Sequence, residues 1–349
     1  MASTSNEPDS PISLSRFNIK TTPPRVQNTY FGKVRAFNTF AKLEWAYLTI
    51  SLIALTISFG ITIQRLTVED ADSSDFTFAL LLLLTIGFCY HYVVHSIFTE
   101  RWDELMVFVA CNIIVLIYCV TNFVTGYKLL HDQPTVKLVR LIVVCLLSPF
   151  LIVVGILQSY RYCLSNNLVF NTVGGISSLQ NACKMYYICS SLLKFDLQLQ
   201  LSMLLLVLVK GVLNMTLLQK VILGSGVPVT FIFIIIGHLG LRYENKALMA
   251  VFFFLGLFEP AYIAYKFYYA AKFEKDDLAT YDATYACGYF ALVIWVLLIV
   301  SAVYFMKYHF GKGLKEKMYG NGQSSQTAAQ SEDGVVNEAA SVEGRNVTP

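Results

Sequence analysis

The sequence predicts an all-α polytopic membrane bundle of about eight transmembrane helices, and three observations carry that reading. Only 14% of the 349 residues are charged and 56% are hydrophobic, whereas a soluble domain carries about a quarter charged residues. The apolar residues fall in nearly uncharged blocks, long enough for the roughly 20 residues that span hydrocarbon. Basic residues gather in both tails, which the positive-inside rule places in the cytosol. Mean hydropathy is +0.56. The formal net charge of +3 is too small to suggest nucleic acid, so the lipid bilayer is the first expected partner.

The blocks run 45–64, 76–98, 105–126, 138–158, 195–215, 221–240, 247–267 and 287–306. The first opens at Trp45 after a polar stretch that contains Pro8, Pro11, Pro23 and Pro24. No apolar signal-peptide core precedes it, so this helix is expected to act as an uncleaved signal anchor. The second is the clearest, with an unbroken leucine run from Leu80 to Leu84, and the third follows Arg101-Trp102-Asp103. The fourth contains Pro149, and the fifth is interrupted by Lys210 and Asn214. The sixth carries Gly224-Ser225-Gly226 near its start and contains Pro228, the seventh carries Glu259-Pro260, and the eighth is followed by Lys307. Backbone in lipid must satisfy its own hydrogen bonds, so each block reads as helix. That argument also decides Lys194 to Ser202, where polar and apolar residues alternate as they would in a strand.

Three regions follow. Residues 1–43 form a polar, basic cytosolic N-tail, 44–306 the transmembrane domain, and 307–349 a cytosolic C-tail. From about 320 that tail is rich in Ser, Gly, Ala and Gln and is expected to be disordered. Lys33, Arg35 and Lys42 at one end and Lys307, Lys312, Lys315 and Lys317 at the other set both termini inside, which requires an even number of crossings. The outside loops 66–75 and 268–286 are acidic, through Glu69, Asp70, Asp72 and Asp75 and through Glu274, Asp276, Asp277 and Asp282. Residues 159–194 form the longest cytosolic connection; Gly174 and Gly175 break it, and helix from Ile176 runs into the fifth crossing.

A candidate internal repeat divides the domain into two parallel four-helix halves. His95, Arg101-Trp102-Asp103 and Leu105-Met106 are echoed by His238, Arg242-Tyr243-Glu244 and Leu248-Met249. Polar residues inside the membrane are costly unless paired or wetted, so they point to function. The candidates are Glu259 with Pro260, Lys210, Arg140, Asn112 and Asn122. Glu259 lies in the otherwise uncharged stretch Phe252 to Tyr265, and Pro260 is expected to free a carbonyl one turn earlier as a partner for Glu259 or a cation. Lys210 and Arg140 are expected to snorkel to the outer surface. His91 and His95 share a helical face at i, i+4, and His238 or Glu259 is the candidate third ligand for a metal ion where the helices meet. Hydrogen bonding near the cytosolic helix ends is the simpler account of His95 and His238. Asp196 is expected to pair with Lys194 or nearby basic residues.

The eight cysteines lie mostly in apolar blocks, where Cys packs as a small hydrophobe, and no disulfide framework is expected. Cys163, Cys183 and Cys189 on the cytosolic side could carry palmitate, although packing accounts for them as well. Walker-type glycine loops, H-E-x-x-H and G-x-S-x-G are missing from the sequence, so no catalytic residue and no cofactor is assigned and the reading leans against an enzyme.

The stretch Lys184-Met185-Tyr186-Tyr187 through Leu192-Leu193-Lys194-Phe195-Asp196-Leu197-Gln198 resembles a segment of an uncharacterised eukaryotic multi-pass family, a domain of unknown function. The resemblance implies a multi-helix membrane domain and brings no activity or site residues. The sequence therefore favours a transport or channel-like protein of the plasma membrane or endomembranes, handling ions or small solutes. The alternatives are a scaffold that presents its tails to cytosolic proteins, and a metal-dependent intramembrane enzyme using His91, His95 and His238.

Overall fold

The computed structural model describes residues 26–29, 32–35, 40–68, 74–129, 134–165, 169–170, 173, 176–208, 217–273 and 278–311. The expected disordered tail from 320 and the Gly174-Gly175 break lie outside the described residues, as do Lys210 and Asn214. A short antiparallel hairpin precedes the helices, β1 (Val26–Thr29) paired with β2 (Gly32–Arg35) in the register Val26↔Arg35. Nine helices follow among the described residues: α1 (Lys42–Val68), α2 (Ser74–Thr99), α3 (Trp102–Leu129), α4 (Pro134–Ser165) and α5 (Ser177–Leu205), then α6 (Leu217–Tyr243), α7 (Lys246–Gly256), α8 (Phe258–Phe273) and α9 (Leu278–Tyr308).

Six helical stretches among the described residues are long and apolar enough to cross a bilayer: Lys42–Val68, Phe76–Thr99, Leu141–Ser165, Leu217–Tyr243, Lys246–Lys272 and Ala283–Tyr308. They coincide with six of the eight expected blocks. The third block is helical within α3, although the side chains of residues 121–137 lie outside the described part. The fifth departs from expectation. α5 begins well before the block, at Ser177, as the reading of one helix from Ile176 onward requires, but it ends at Leu205 instead of running to residue 215. Exposed side chains such as Leu146, Leu217, Phe254 and Val300 are apolar. An apolar exterior of this extent requires lipid as its solvent, and the protein is an integral membrane protein.

The chain divides into two compact units, residues 1–64 with 85–165 and residues 65–84 with 166–349. In the first, Tyr47, Tyr92, Ile97, Leu105 and Phe108 are fully buried. Glu44 receives hydrogen bonds from Gln158 Nε2 and Tyr162 Oη, each at 3.0 Å. The same carboxylate accepts from Ala41 N at 2.8 Å, so one acid both caps α1 and ties it to α4. Tyr47 Oη donates to Leu151 O at 3.1 Å beside Gly155. In the second unit the core joins Leu193, Phe233, Met249, Phe252, Leu298 and Phe305. The Phe233 and Phe252 rings stack at 4.7 Å. Gly237 allows this approach, because a Cβ there would lie 2.7 Å from the Phe252 ring.

Both α2 and α6 end in the same way. Glu100 and Glu244 take left-handed φ values of 51 and 52. The next amides, Arg101 N and Asn245 N, reach back to Ser96 O at 3.0 Å and Gly240 O at 3.2 Å. This six-to-one bond satisfies a carbonyl that the helix end leaves open. Asn245 then caps α7 by accepting from Ala247 N at 2.9 Å.

Candidate functional site

The second unit places two breaks in helical backbone close to one acidic cluster. Pro260 has no N–H, so Gly256 O loses its partner four residues on. The chain turns at Leu257 and restarts as α8, with Pro260 in its first turn, where proline is tolerated. The sequence therefore places the freed carbonyl correctly, but its partner is neither Glu259 nor a cation. Trp295 Nε1 donates to Gly256 O at 2.8 Å.

The second break is the end of α5. Leu206, Val207 and Leu208 leave the helix, and backbone at membrane depth needs other donors once a helix stops. Side chains supply them. Tyr262 Oη donates to Met203 O at 3.3 Å, Lys266 Nζ to Leu206 O at 2.9 Å, Gln219 Nε2 to Val207 O at 3.3 Å and Thr77 Oγ1 to Leu208 O at 2.5 Å. Tyr262 and Lys266 come from α8, whose inward face repeats at helical spacing through Glu259, Ile263, Lys266 and Ala270. Replacing Lys266 (3% exposed) with Met keeps the apolar stem but removes the donor to Leu206 O. A buried carbonyl left open costs about 1–3 kcal/mol, so Lys266→Met is expected to lower the thermal midpoint in detergent, while Tyr262→Phe at the longer bond lowers it less.

Toward the break at Leu257, the same face of α8 meets two polar residues of α5. Gln200 Nε2 donates to Glu259 Oε2 at 2.7 Å and to Asp196 Oδ2 at 2.8 Å. Asp196 is 0% exposed and Glu259 is 9% exposed. The remaining oxygens, Asp196 Oδ1 and Glu259 Oε1, carry no hydrogen bond. Two carboxyl groups held this close cannot both be ionised in a nonpolar interior without strong repulsion. One proton between them removes a charge and creates the donor that the open oxygens lack.

Glu259 thus turns inward, as the cost of a charge facing lipid requires, but Asp196 and Gln200 join it unannounced. Asp196 is not paired with Lys194. Its partner is Gln200 one turn along α5. The legible signal was the i, i+4 spacing of two polar residues on a helix entering the membrane. Other sequence candidates stand apart from this cluster. Asn112 Nδ2 donates to Phe108 O of its own helix at 2.9 Å, a structural bond. Asn122, Arg140 and Lys210 lie outside the described side chains.

The histidines are partly brought together. His91 and His95 stack with ring centroids 5.4 Å apart. The third donor beside them is Glu104 from α3, whose carboxylate bonds His95 Nδ1. His238 belongs to the other compact unit. The spacing of His91 and His95 was readable; Glu104 was not, because only the tight turn at Glu100 folds the start of α3 back beside the last turns of α2.

No curated protein and no solved structure matches the chain. A family model does match, over residues 31–160 and 173–304. Those segments cover most of the chain and almost all of the helical domain, and the chain therefore belongs to the family described as Domain of unknown function (DUF7789).

Proposed function

We propose that the protein is a proton-coupled membrane transporter whose ion site is Asp196, Gln200 and Glu259. The observation that carries this reading is the pair of buried carboxyl groups bridged by Gln200 beside two helix breaks. Interrupted helices with acidic side chains at the break are a recurrent way of building ion sites in lipid. The bridging donor argues for a proton over sodium, since a hard metal cation needs a cage of oxygens and an amide N–H pointing at both acids opposes one.

A duplication into two halves, part of the same proposal, is in keeping with this reading. The turns that end α2 and α6 share one conformation and one hydrogen-bond pattern, at Glu100 and at Glu244. The family model also matches two successive segments of nearly equal length, one in each half. Parallel repeats of this type build several transporter folds. Aligning the two turns leaves His238 one residue short of the position equivalent to His95, so the histidine echo does not belong to the repeat.

The test is flux. In proteoliposomes with a trapped pH dye, one member of a panel of ions and small solutes is expected to trigger proton movement, and Glu259→Gln to abolish it. A wild-type protein silent to every solute, with tails that capture cytosolic proteins, would favour the scaffold instead. The topology that accompanies the proposal has eight crossings with both termini and residues 159–194 in the cytosol of a plasma- or endomembrane protein. Epitope tags at the two ends of the chain are expected to be shielded from protease in intact cells. Exposure of one tag alone would mean an odd number of crossings.

A further inference from the structure

We infer that His91, His95 and Glu104 form a binding site for a divalent transition-metal ion such as zinc, separate from the carboxylate pair. One donor atom from each of these residues lies within 4.8 Å of the others. Ligand atoms around a tetrahedral zinc stand about 3.3 Å apart, given metal–ligand bonds of about 2.0 Å, so small side-chain rotations close the set. The donor types suit the ion: two imidazoles and one carboxylate leave a fourth position for water.

The support around the triad is already in place. Glu104 is 0% exposed, and its second oxygen, Oε1, accepts from Arg101 Nη1 at 2.9 Å. Arg101 is itself held by Asp103 Oδ2 at 3.0 Å. The Arg101 bond therefore fixes the Glu104 carboxylate with Oε2 directed at His95, an outer contact of the type that orients metal ligands. His91 lies one helical turn from His95 with its ring nearly parallel, at 16°.

An ion-pair staple across the α2–α3 turn would account for Arg101, Asp103, Glu104 and His95, but it needs no imidazole at position 91. A metal site does.

The experiment uses the full chain in detergent, purified without a polyhistidine tag. Zinc and cobalt(II) are titrated by equilibrium dialysis, and cobalt by its visible absorption. About one ion per chain is expected, with a tetrahedral cobalt spectrum. His91→Ala is expected to weaken binding at least tenfold, in keeping with the usual loss when a site is disrupted. His91 is exposed and makes the fold least vulnerable to this change, so it serves as the deciding variant. Glu104→Gln is also expected to weaken binding, and His238→Ala to leave it unchanged. Absence of stoichiometric binding by wild type, or equal binding by wild type and His91→Ala, overturns the inference. Loss of binding in His238→Ala overturns this ligand set. None of these readouts depends on transport, so the metal site and the proton site stand or fall separately.

Discussion

Glu259→Gln and Asp196→Asn are each expected to abolish proton-coupled flux while leaving a folded, monodisperse protein. The amides keep the shape of the side chains and can still bond Gln200, which bridges the two positions at 2.7 and 2.8 Å. What they lose is the ability to take up and release a proton. Replacing one member of a crowded, desolvated acid pair also removes repulsion, so thermal stability is expected to hold or rise. Glu259→Ala differs, because it leaves Gln200 without one acceptor and opens space beside Pro260. Its yield and thermal midpoint are expected to fall. Flux is measured in proteoliposomes across a pH series and stability by size exclusion after heating. If the amide variants transport like wild type, the cluster is only a structural network and the transport proposal loses its carrying observation.

A large stability effect is expected at Gly155. A Cβ there would stand 2.6 Å from Tyr47 Oη and 2.6 Å from Val109 Cγ2. Tyr47 is 1% exposed and holds Leu151 O through its hydroxyl, while Val109 has too short a side chain to swing aside. Gly155→Val must therefore spread α1, α3 and α4 or break that hydrogen bond. Overpacking a tight site costs about 1–3 kcal/mol, and the larger end applies here because two elements are struck at once. Gly60 and Gly87 supply the control, since nothing lies within 4 Å of a Cβ at either. Val at those positions is expected to leave the midpoint in detergent unchanged. Equal midpoints for Gly155→Val and Gly87→Val would mean that α4 does not pack against Tyr47 as described.

Some of the site was readable in advance. Glu259 stood out because a lone acid in an apolar block has few ways to survive there, and Pro260 marked the helix break beside it. The carbonyl that Pro260 frees was locatable by counting back four residues to Gly256. Its donor, Trp295, comes from a helix distant in sequence, and counting cannot find it. Lys194, two positions away, was the expected partner of Asp196. Residues two apart point to different faces of a helix, however, whereas Gln200 shares the Asp196 face. For the histidines, helical period marked His91 and His95, while the third ligand was sought among polar residues of other helices, His238 or Glu259. The tight turn at Glu100 supplied Glu104 in its place.

By itself the sequence determined the solvent and the helical character of the apolar blocks. Uncharged blocks of membrane length admit one backbone solution in lipid, because each segment must close its own hydrogen bonds. That argument is local to each block and needs no knowledge of its neighbours. Tertiary structure decided where helices stop and which polar groups meet. α5 can end at Leu205 only because Lys266, Gln219 and Thr77 bring donors to Leu206, Val207 and Leu208 from other helices. Asp196 and Glu259 face each other only because α8 packs its inward stripe along α5. A polar group in hydrocarbon is stable or ruinous according to what stands opposite it, and what stands opposite is set by packing between segments far apart in the chain.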